Sequence, residues 1–570
     1  MGMPKSFHFT LHIPPAFTKT ISAVLFMTLL VSCHKIEFKP SYSAPAFQYL
    51  NQVMKTILLN EFSDGEKLDL AEGWQFHGWD TLAGKEQAFP DFLVGNPVKL
   101  PHRITQPNSN IWYSGVFDLA EGYLKINGDD GTQLWCDGER IYQNENQLYP
   151  VGKISEQSIK LSIRVINNAV SGGLKQVTWV SRGSLEDLSK RKKSAYDSAV
   201  HEAKKALWLE SDFPTDWKDY PIWLTDPVLL PHTKKDSLTI RWLGEKNAIS
   251  KIHYGREPGL ILQSAKALEK DGIYTAVVPR QNCSYYYFEM DKTQSPLFTM
   301  KKNISQKEIS FSVWADSQGG WETFSRIINQ MKINNPDFTI GVGDLVGNGA
   351  QPWQYIRLLD YLSKIHVPHR LFAGNHDYDG SYDDWNPIHF NRYLKTKNEK
   401  TYSFWREGPC AFIALDPNAH FPVSIPESSS QFNWFTKTIQ SESWKSAPWK
   451  IVLVHQPPYS QGWIDYQGEK SIRELLKPFW ESGLIDLVIS GHTHDYERLI
   501  IPHEKGKTAF VIVGGAGGGF ESDDLLESLP EMDTVLRTHH FGWIKAGEER
   551  LEFHAMDLEG NRVDGFTLLK

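Results

Sequence analysis

Cysteine is scarce in this chain: four residues in 570, at positions 33, 136, 283 and 410, with no CxxC pair among them. That spacing supports neither a disulfide framework nor a zinc ribbon, and Cys136, Cys283 and Cys410 are expected to be buried apolar residues. Basic excess is missing as well. At a net charge of −8 no domain-wide positive surface exists to neutralise phosphates, so no nucleic-acid partner is expected. The one dense basic run, Lys190-Arg191-Lys192-Lys193, reads as the solvated face of a helix. No GxxxxGK occurs, and the run Gly514-Gly515-Ala516-Gly517-Gly518-Gly519 does not fit GxGxxG. A nucleotide loop is therefore set aside in favour of a tight loop after Phe510-Val511-Ile512-Val513, near the rim of a site.

What is present is globular. With 41% apolar and 22% charged residues, 20 Trp and 22 Tyr, the chain is neither disordered nor coiled coil, and its length suggests about three or four domains. Near the start, Lys19 precedes the apolar run Ile21–Leu30, too short to span a bilayer but suited to the h-region of a secretory signal. The run leads into Leu30-Val31-Ser32-Cys33, which resembles the lipobox of bacterial lipoproteins. That resemblance implies a signal over 1–32, export, and a tether over 33–60 held to a membrane through lipidated Cys33.

Short strand patterns with turns such as Asn127-Gly128-Asp129-Asp130-Gly131 predict a β-sandwich over 61–182. Its stretches Val98–His102, Ile111-Trp112-Tyr113 and Ser162–Asn168 resemble the galactose-binding-like domain of β-galactosidase and β-glucuronidase-type glycosidases. In such domains a sugar-binding and an architectural role are both open. Residues 183–215 form a helical linker, with Leu185, Leu188, Tyr196, Ala199, Ala203 and Leu207 at steps of three and four. Alternation returns over 216–302, as in Ser237–Trp242; the alternation indicates a second sandwich, and the segment resembles the fibronectin type III module preceding the catalytic domain of purple acid phosphatases.

The segment 303–570 reads as α/β, and its apolar runs end in ligand-type residues. Phe311–Ala315 ends in Asp316, Phe338–Gly343 in Asp344, Arg370–Gly374 in Asn375-His376-Asp377, Ile451–Val454 in His455, and Leu487–Ser490 in Gly491-His492-Thr493-His494. Ligands of open α/β sheets bind beyond the carboxyl ends of strands. Singly, each residue has a plain structural use: Asp316 as a helix cap, Asp344 in a turn, His455 as a satisfied core histidine. Five strand ends in a row carrying such residues define one site.

The ordered set Asp316, Gly343-Asp344, Gly374-Asn375-His376-Asp377, His455 and Gly491-His492-Thr493-His494 resembles the signature of calcineurin-like metallophosphoesterases. The stretches His455–Tyr459 and Asp495-Tyr496-Glu497-Arg498 are similar to the purple acid phosphatase branch. The resemblance implies two packed mixed sheets flanked by helices, and two metal ions (Fe, Mn or Zn) that activate water for attack on phosphorus. It also implies that Asp344 bridges the ions, that Asp316 and His494 bind the first, and that Asn375, His455 and His492 bind the second. His376 then assists the leaving group, with Asp377 orienting its ring. Two departures stand out. Gln318 occupies a position that is His in many members, and Gly347 the position of the tyrosine that gives purple acid phosphatases their colour. Gln318 is thus a possible metal or substrate contact, and no iron–tyrosinate is expected.

The reading is an exported hydrolase of phosphate monoesters, acting on a phosphorylated small molecule or glycan. Its alternatives are a phosphodiesterase for glycan- or lipid-linked phosphate, and a surface carbohydrate-binding lipoprotein with a degenerate phosphoesterase domain.

Overall fold

The computed structural model describes residues 67–570 except 83–93, 145–146, 153–157, 169–170, 211–216, 233, 235, 302–304, 306, 379–385, 396–398, 464–465 and 521–530. The side chains of 207–210 and 217 are also outside the description, as are the expected signal over 1–32, Cys33 and the expected tether over 33–60. Among the described residues no helix is long and apolar enough to cross a membrane.

The first sandwich runs from Lys67 to Ser181. A four-stranded sheet faces a six-stranded one whose central strands are Ser109–Phe117 and Ile159–Asn167. Successive strand residues point to opposite faces. Ile111, Tyr113, Ile163 and Val165 accordingly join the core between the sheets, while Trp112, Arg164 and Ile166 lie on the other face, buried as well. A sheet covered on both faces has a second neighbour, and here it is the α/β domain.

The helix Arg182–Glu210 leads out of this sandwich. Ala199, Val200 and Ala203 on one face pack with Trp223, Trp242 and Phe288 of the second sandwich, whose strands lie between Val228 and Thr299. The same core continues into Phe324, Ile327, Leu358 and Leu362 of the α/β domain. The second sandwich and the α/β domain thus share one apolar cluster.

The α/β domain is two sheets packed face to face. One orders His369–Phe372, Phe338–Val342, Ile309–Trp314, His540–Ala546, Arg550–Asp557 and Arg562–Leu569. Its first three strands are parallel, and the last three run antiparallel. The other orders Ser403–Glu407, Cys410–Leu415, Trp449–Val454, Leu487–Ser490, Gly506–Val513, Tyr496–His503 and Thr534–Leu536, with a parallel centre of four strands. Phe311, Ile340, Phe412, Ile451, Ile489, Val511 and Phe553 fill the space between. Helices Trp321–Asn334 and Pro352–Leu362 cover the outer face of the first sheet, and Ser430–Ile439 and Lys470–Glu481 that of the second. Burial on both faces is why these strands read as continuous apolar runs rather than alternating ones.

The joint with the second sandwich is sealed by Arg241, whose guanidinium donates to the Tyr393 and Lys395 carbonyls at 2.5 and 3.0 Å. Arg241→Ala leaves those buried acceptors unpaired. It is expected to cost about 2–4 kcal/mol and to lower the melting temperature in a single transition shared by both domains, measurable by calorimetry.

Candidate metal centre

Parallel strands end together, so the loops at their carboxyl ends meet. Asp316 follows Ile309–Trp314, Asp344 follows Phe338–Val342, and Asn375 follows His369–Phe372 on the first sheet. His455 follows Trp449–Val454, and His492 and His494 follow Leu487–Ser490 on the second. The two sheets thus contribute three candidate ligands each to one buried site. Asp316, Asp344 and His492 adopt left-handed backbone with φ of 61°, 50° and 76°. Such conformations are costly for side-chain-bearing residues and cluster at functional sites. Gly343, at φ 94°, could not be replaced without strain, and a Cβ there would meet His455 Nδ1 at 2.3 Å. A Cβ on Gly374 would stand 2.2 Å from Asp344 Oδ1.

Hydrogen bonds fix which way the ligand atoms face. His455 Nδ1 donates to the Val342 carbonyl at 2.8 Å, so its Nε2 lone pair faces Asp344 Oδ2 at 3.2 Å. His494 Nδ1 donates to the Gly519 carbonyl at 2.7 Å, leaving Nε2 facing Asp316 Oδ1 at 3.8 Å. Asp316 Oδ2 accepts from the His492 N–H, and Asp344 Oδ1 from the His376 N–H, both at 2.9 Å. Four buried atoms then have no hydrogen-bond partner: Asp316 Oδ1 and the Nε2 atoms of His455, His492 and His494. Buried acceptors facing one another repel unless a cation lies between them. Ligand atoms of Asp344, His455 and His492 all fall within 4.8 Å of one another. The donor set of imidazole, carboxylate and amide therefore fits metal ions, with His455 Nε2 within 3.2 Å of Asp344 Oδ2 and 4.0 Å of Asp316 Oδ1.

The electrostatics agree. Burial alone would lower His455, but the carboxylates of Asp344 and Asp316 outweigh it and push its pKa up to about 9, so at neutral pH a proton on Nε2 supplies the positive charge until a metal ion displaces it. Burial would raise Asp344, yet His455 and His376 hold it well below the usual carboxylate range. Burial raises Asp316 and lowers His492 and His494, the last to about 4, which keeps that imidazole neutral.

Other expected residues take definite places. Asn375 is buried, and its Oδ1 accepts from Gln456 Nε2 at 3.3 Å. His376 lies at the edge, its ring Nε2 3.9 Å from Asp344 Oδ2 and its side chain 31% exposed. Asp377 holds backbone: Oδ2 accepts from the N–H groups of Gly374 and Leu345, and Oδ1 from the Tyr355 hydroxyl. Its carboxylate thus ties two ligand-bearing loops together. Gln318 donates through Nε2 to Asp344 Oδ2 at 2.8 Å, so it acts on a ligand rather than offering an oxygen. A Cβ on Gly347 would stand 2.6 Å from the Gln318 carbonyl, so this loop has no room for a tyrosine. Asp316 is no helix cap; the helix it precedes begins after Gly320. The glycine run packs beneath the ligands: Gly518 N–H donates to the Asp316 carbonyl at 2.7 Å, and Gly519 orients His494.

Sequence reasoning missed an aromatic wall. The rings of Trp463 and Tyr466 lie 5.0 and 5.3 Å from that of His492. Glu497 holds the loop bearing Trp463, accepting from Ser460 Oγ and the N–H groups of Gln461 and Gly462 at 2.7, 2.7 and 3.1 Å. Arg537 bridges Asp495 Oδ2 and the Gly462 carbonyl. The position of a lone Trp eight residues after His455 carries no periodic signal.

The first sandwich reaches the rim of this site at three loops. Gln147 donates to the Ala350 carbonyl, next to Gly349, whose N–H bonds the His376 carbonyl. Arg164 lies over the Phe421 ring at 5.4 Å, beside Ile166. Asn108 Nδ2 donates to Glu469 Oε2 at 3.0 Å.

Residues 309–496 match the model of the calcineurin-like phosphoesterase family. Relatives of the chain are purple acid phosphatases. Purple acid phosphatase 1 of Ipomoea batatas is 33% identical over 22% of this chain and 28% of its own length. Probable inactive purple acid phosphatase 27 of Arabidopsis thaliana is 25% identical over 40% of this chain and 41% of its length. The chain thus spans less than half of these two relatives. Among solved structures, purple acid phosphatase PPD1 from yellow lupin seeds aligns with a TM-score of 0.49 at 15% identity, covering 81% of this chain and 92% of that one.

Gly374→Ala places a methyl against the Asp344 carboxylate. Elemental analysis is expected to show loss of bound metal in this variant while far-UV circular dichroism stays native.

Proposed function

We propose that this protein hydrolyses phosphate monoesters at a dinuclear centre. The observation that carries the reading is the convergence of four buried, partnerless ligand atoms around Asp344. When bound, two ions of Fe, Mn or Zn supply positive charge and an activated water for in-line displacement at phosphorus. Asp344 would be shared by the two ions, Asp316 and His494 would hold one, and Asn375, His455 and His492 would hold the other. Gln318 fixes the bridging carboxylate from outside, and Asp377 fixes the loops from which Asn375 and Asp344 project. His376, at the open edge of the site, is placed to give a proton to the leaving oxygen. The near-complete ligand set speaks against a degenerate domain.

The first sandwich is read as galactose-binding-like and the second as fibronectin type III-like. The pattern of Lys19, Ile21–Leu30 and Leu30-Val31-Ser32-Cys33 supports export and tethering to a bacterial membrane through lipidated Cys33. The substrate is a phosphorylated small molecule or glycan.

After reconstitution with Fe, Mn or Zn, p-nitrophenyl phosphate is expected to be cleaved faster than its bis-ester; absence of both metal and turnover would sink the proposal. Two variants separate the roles. Asp344→Asn is expected to lose metal and activity together, whereas His376→Ala keeps both ions and loses about 10²–10⁴ in kcat.

A further inference from the structure

Of the three candidate ligand imidazoles, two are turned by a hydrogen bond from Nδ1: His455 to the Val342 carbonyl and His494 to the Gly519 carbonyl. His492 is the exception. Among the described residues neither nitrogen of its ring has a hydrogen-bond partner, and Nε2 is buried. Its backbone is fixed all the same, at φ 76° and with the N–H donating to Asp316 Oδ2 at 2.9 Å. What no polar contact sets is the plane of the ring. Metal-binding histidines ordinarily gain that plane from a bond donated by the second nitrogen, so at His492 another contact must supply it.

Three rings do so. Those of His455, Trp463 and Tyr466 lie 5.3, 5.0 and 5.3 Å from the His492 ring and meet it at 73°, 58° and 69°. Steep contacts of this kind resist rotation of the enclosed ring, because turning it drives its edge into a close-packed neighbour. Trp463 also meets the His494 ring, at 5.7 Å and 87°. Trp463 and Tyr466 are only 7% and 4% exposed, too enclosed to offer a face to substrate, so their contact with the ligands is one of support.

The pair is itself held from several directions. The Tyr466 N–H donates to the Trp463 carbonyl at 3.3 Å, and the two rings stand 5.6 Å apart. Besides gripping Ser460, Gln461 and Gly462, Glu497 accepts from Thr493 Oγ1 at 3.2 Å. One carboxylate thus ties the loop that carries the aromatic pair to the residue between His492 and His494. Beyond Tyr466, the Glu469 N–H donates to the Pro457 carbonyl at 2.6 Å and closes the loop.

We propose that Trp463 and Tyr466 are positioning residues for His492: ring packing does there what a hydrogen bond does at His455 and His494, and retention of the ion that His492 would hold depends on it. The inference rests on the dinuclear reading above. The role needs a flat ring and not a hydroxyl, since the Tyr466 hydroxyl is buried without a hydrogen-bond partner. His494 keeps its own bond to Gly519, so the ion on that side depends on the aromatic pair less.

The test titrates zinc into the metal-free protein and its Tyr466→Phe, Tyr466→Ala and Trp463→Ala variants by calorimetry, with elemental analysis of the zinc retained after dialysis. The unsubstituted protein is expected to bind two ions, and Tyr466→Phe to match it. Tyr466→Ala is expected to weaken one ion about 10–100-fold and to leave the other unchanged, and Trp463→Ala to weaken the same ion at least as much. Should Tyr466→Ala fail to fold, as judged by its melting temperature, Tyr466→Leu takes its place, keeping bulk without a flat ring. Unchanged affinity in the Ala or Leu variant, equal weakening of both ions there, or an equal loss in Tyr466→Phe overturns the assignment while leaving the dinuclear reading intact. If the unsubstituted protein binds fewer than two ions, that reading falls and this one with it.

Discussion

A lone pair on His455 and a carboxylate oxygen of Asp344 face each other across 3.2 Å in a water-poor interior. Neither atom can donate to the other while the imidazole is neutral, because the ring's one N–H is committed to the Val342 carbonyl. That geometry is tolerable only with positive charge between the two, and the surrounding loops are arranged to maintain it. Gly343 and Gly374 let the backbone approach, Asp377 ties two loops, and Gln318 and the His376 N–H each donate to one oxygen of Asp344. The centre is a frustrated cluster, rigid because its frame is satisfied and reactive because its middle is not.

The frame was legible from the chain because parallel strands buried on both faces leave long apolar runs, and each run ends where a ligand begins. Asp316, Asp344, Asn375, His455, His492 and His494 could be read that way, since strand ends are marked in sequence. The parts that could not be read act through contacts made across the fold. Trp463 and Tyr466 sit in a loop without periodicity, and their place against His492 depends on Glu497 gripping the backbone around Gly462. Asp377 looked like a partner for the neighbouring imidazole, yet its bonds run to backbone N–H groups of two loops and to Tyr355. A sequence shows which residue is a carboxylate, not which donors the tertiary fold brings to it.

Domain organisation shows the same division. Alternation along Ser109–Phe117 and Ile159–Asn167 identifies a sandwich, but it does not say why Trp112 and Arg164, on the face away from the core, are buried. For Arg164 the answer is the α/β domain, whose Phe421 lies against Arg164 and Ile166; Trp112 is covered within the sandwich by Trp135 and Arg164 and bonds Asp80. The second sandwich is joined more intimately still, through a common apolar interior and the bonds of Arg241 to Tyr393 and Lys395.

One pairing bears on how the centre comes into being. The strand Ile309–Trp314, from which Asp316 projects, is hydrogen-bonded on one side to Phe338–Val342 and on the other to His540–Ala546, near the end of the chain. The strand that carries the first ligand therefore stays an open edge until a segment more than two hundred residues further along the chain has been made. The first ligand is thus seated by a pairing of long sequence separation, the kind of contact whose loop closure must be met before it gives any stability, and the ligand set comes together late in folding.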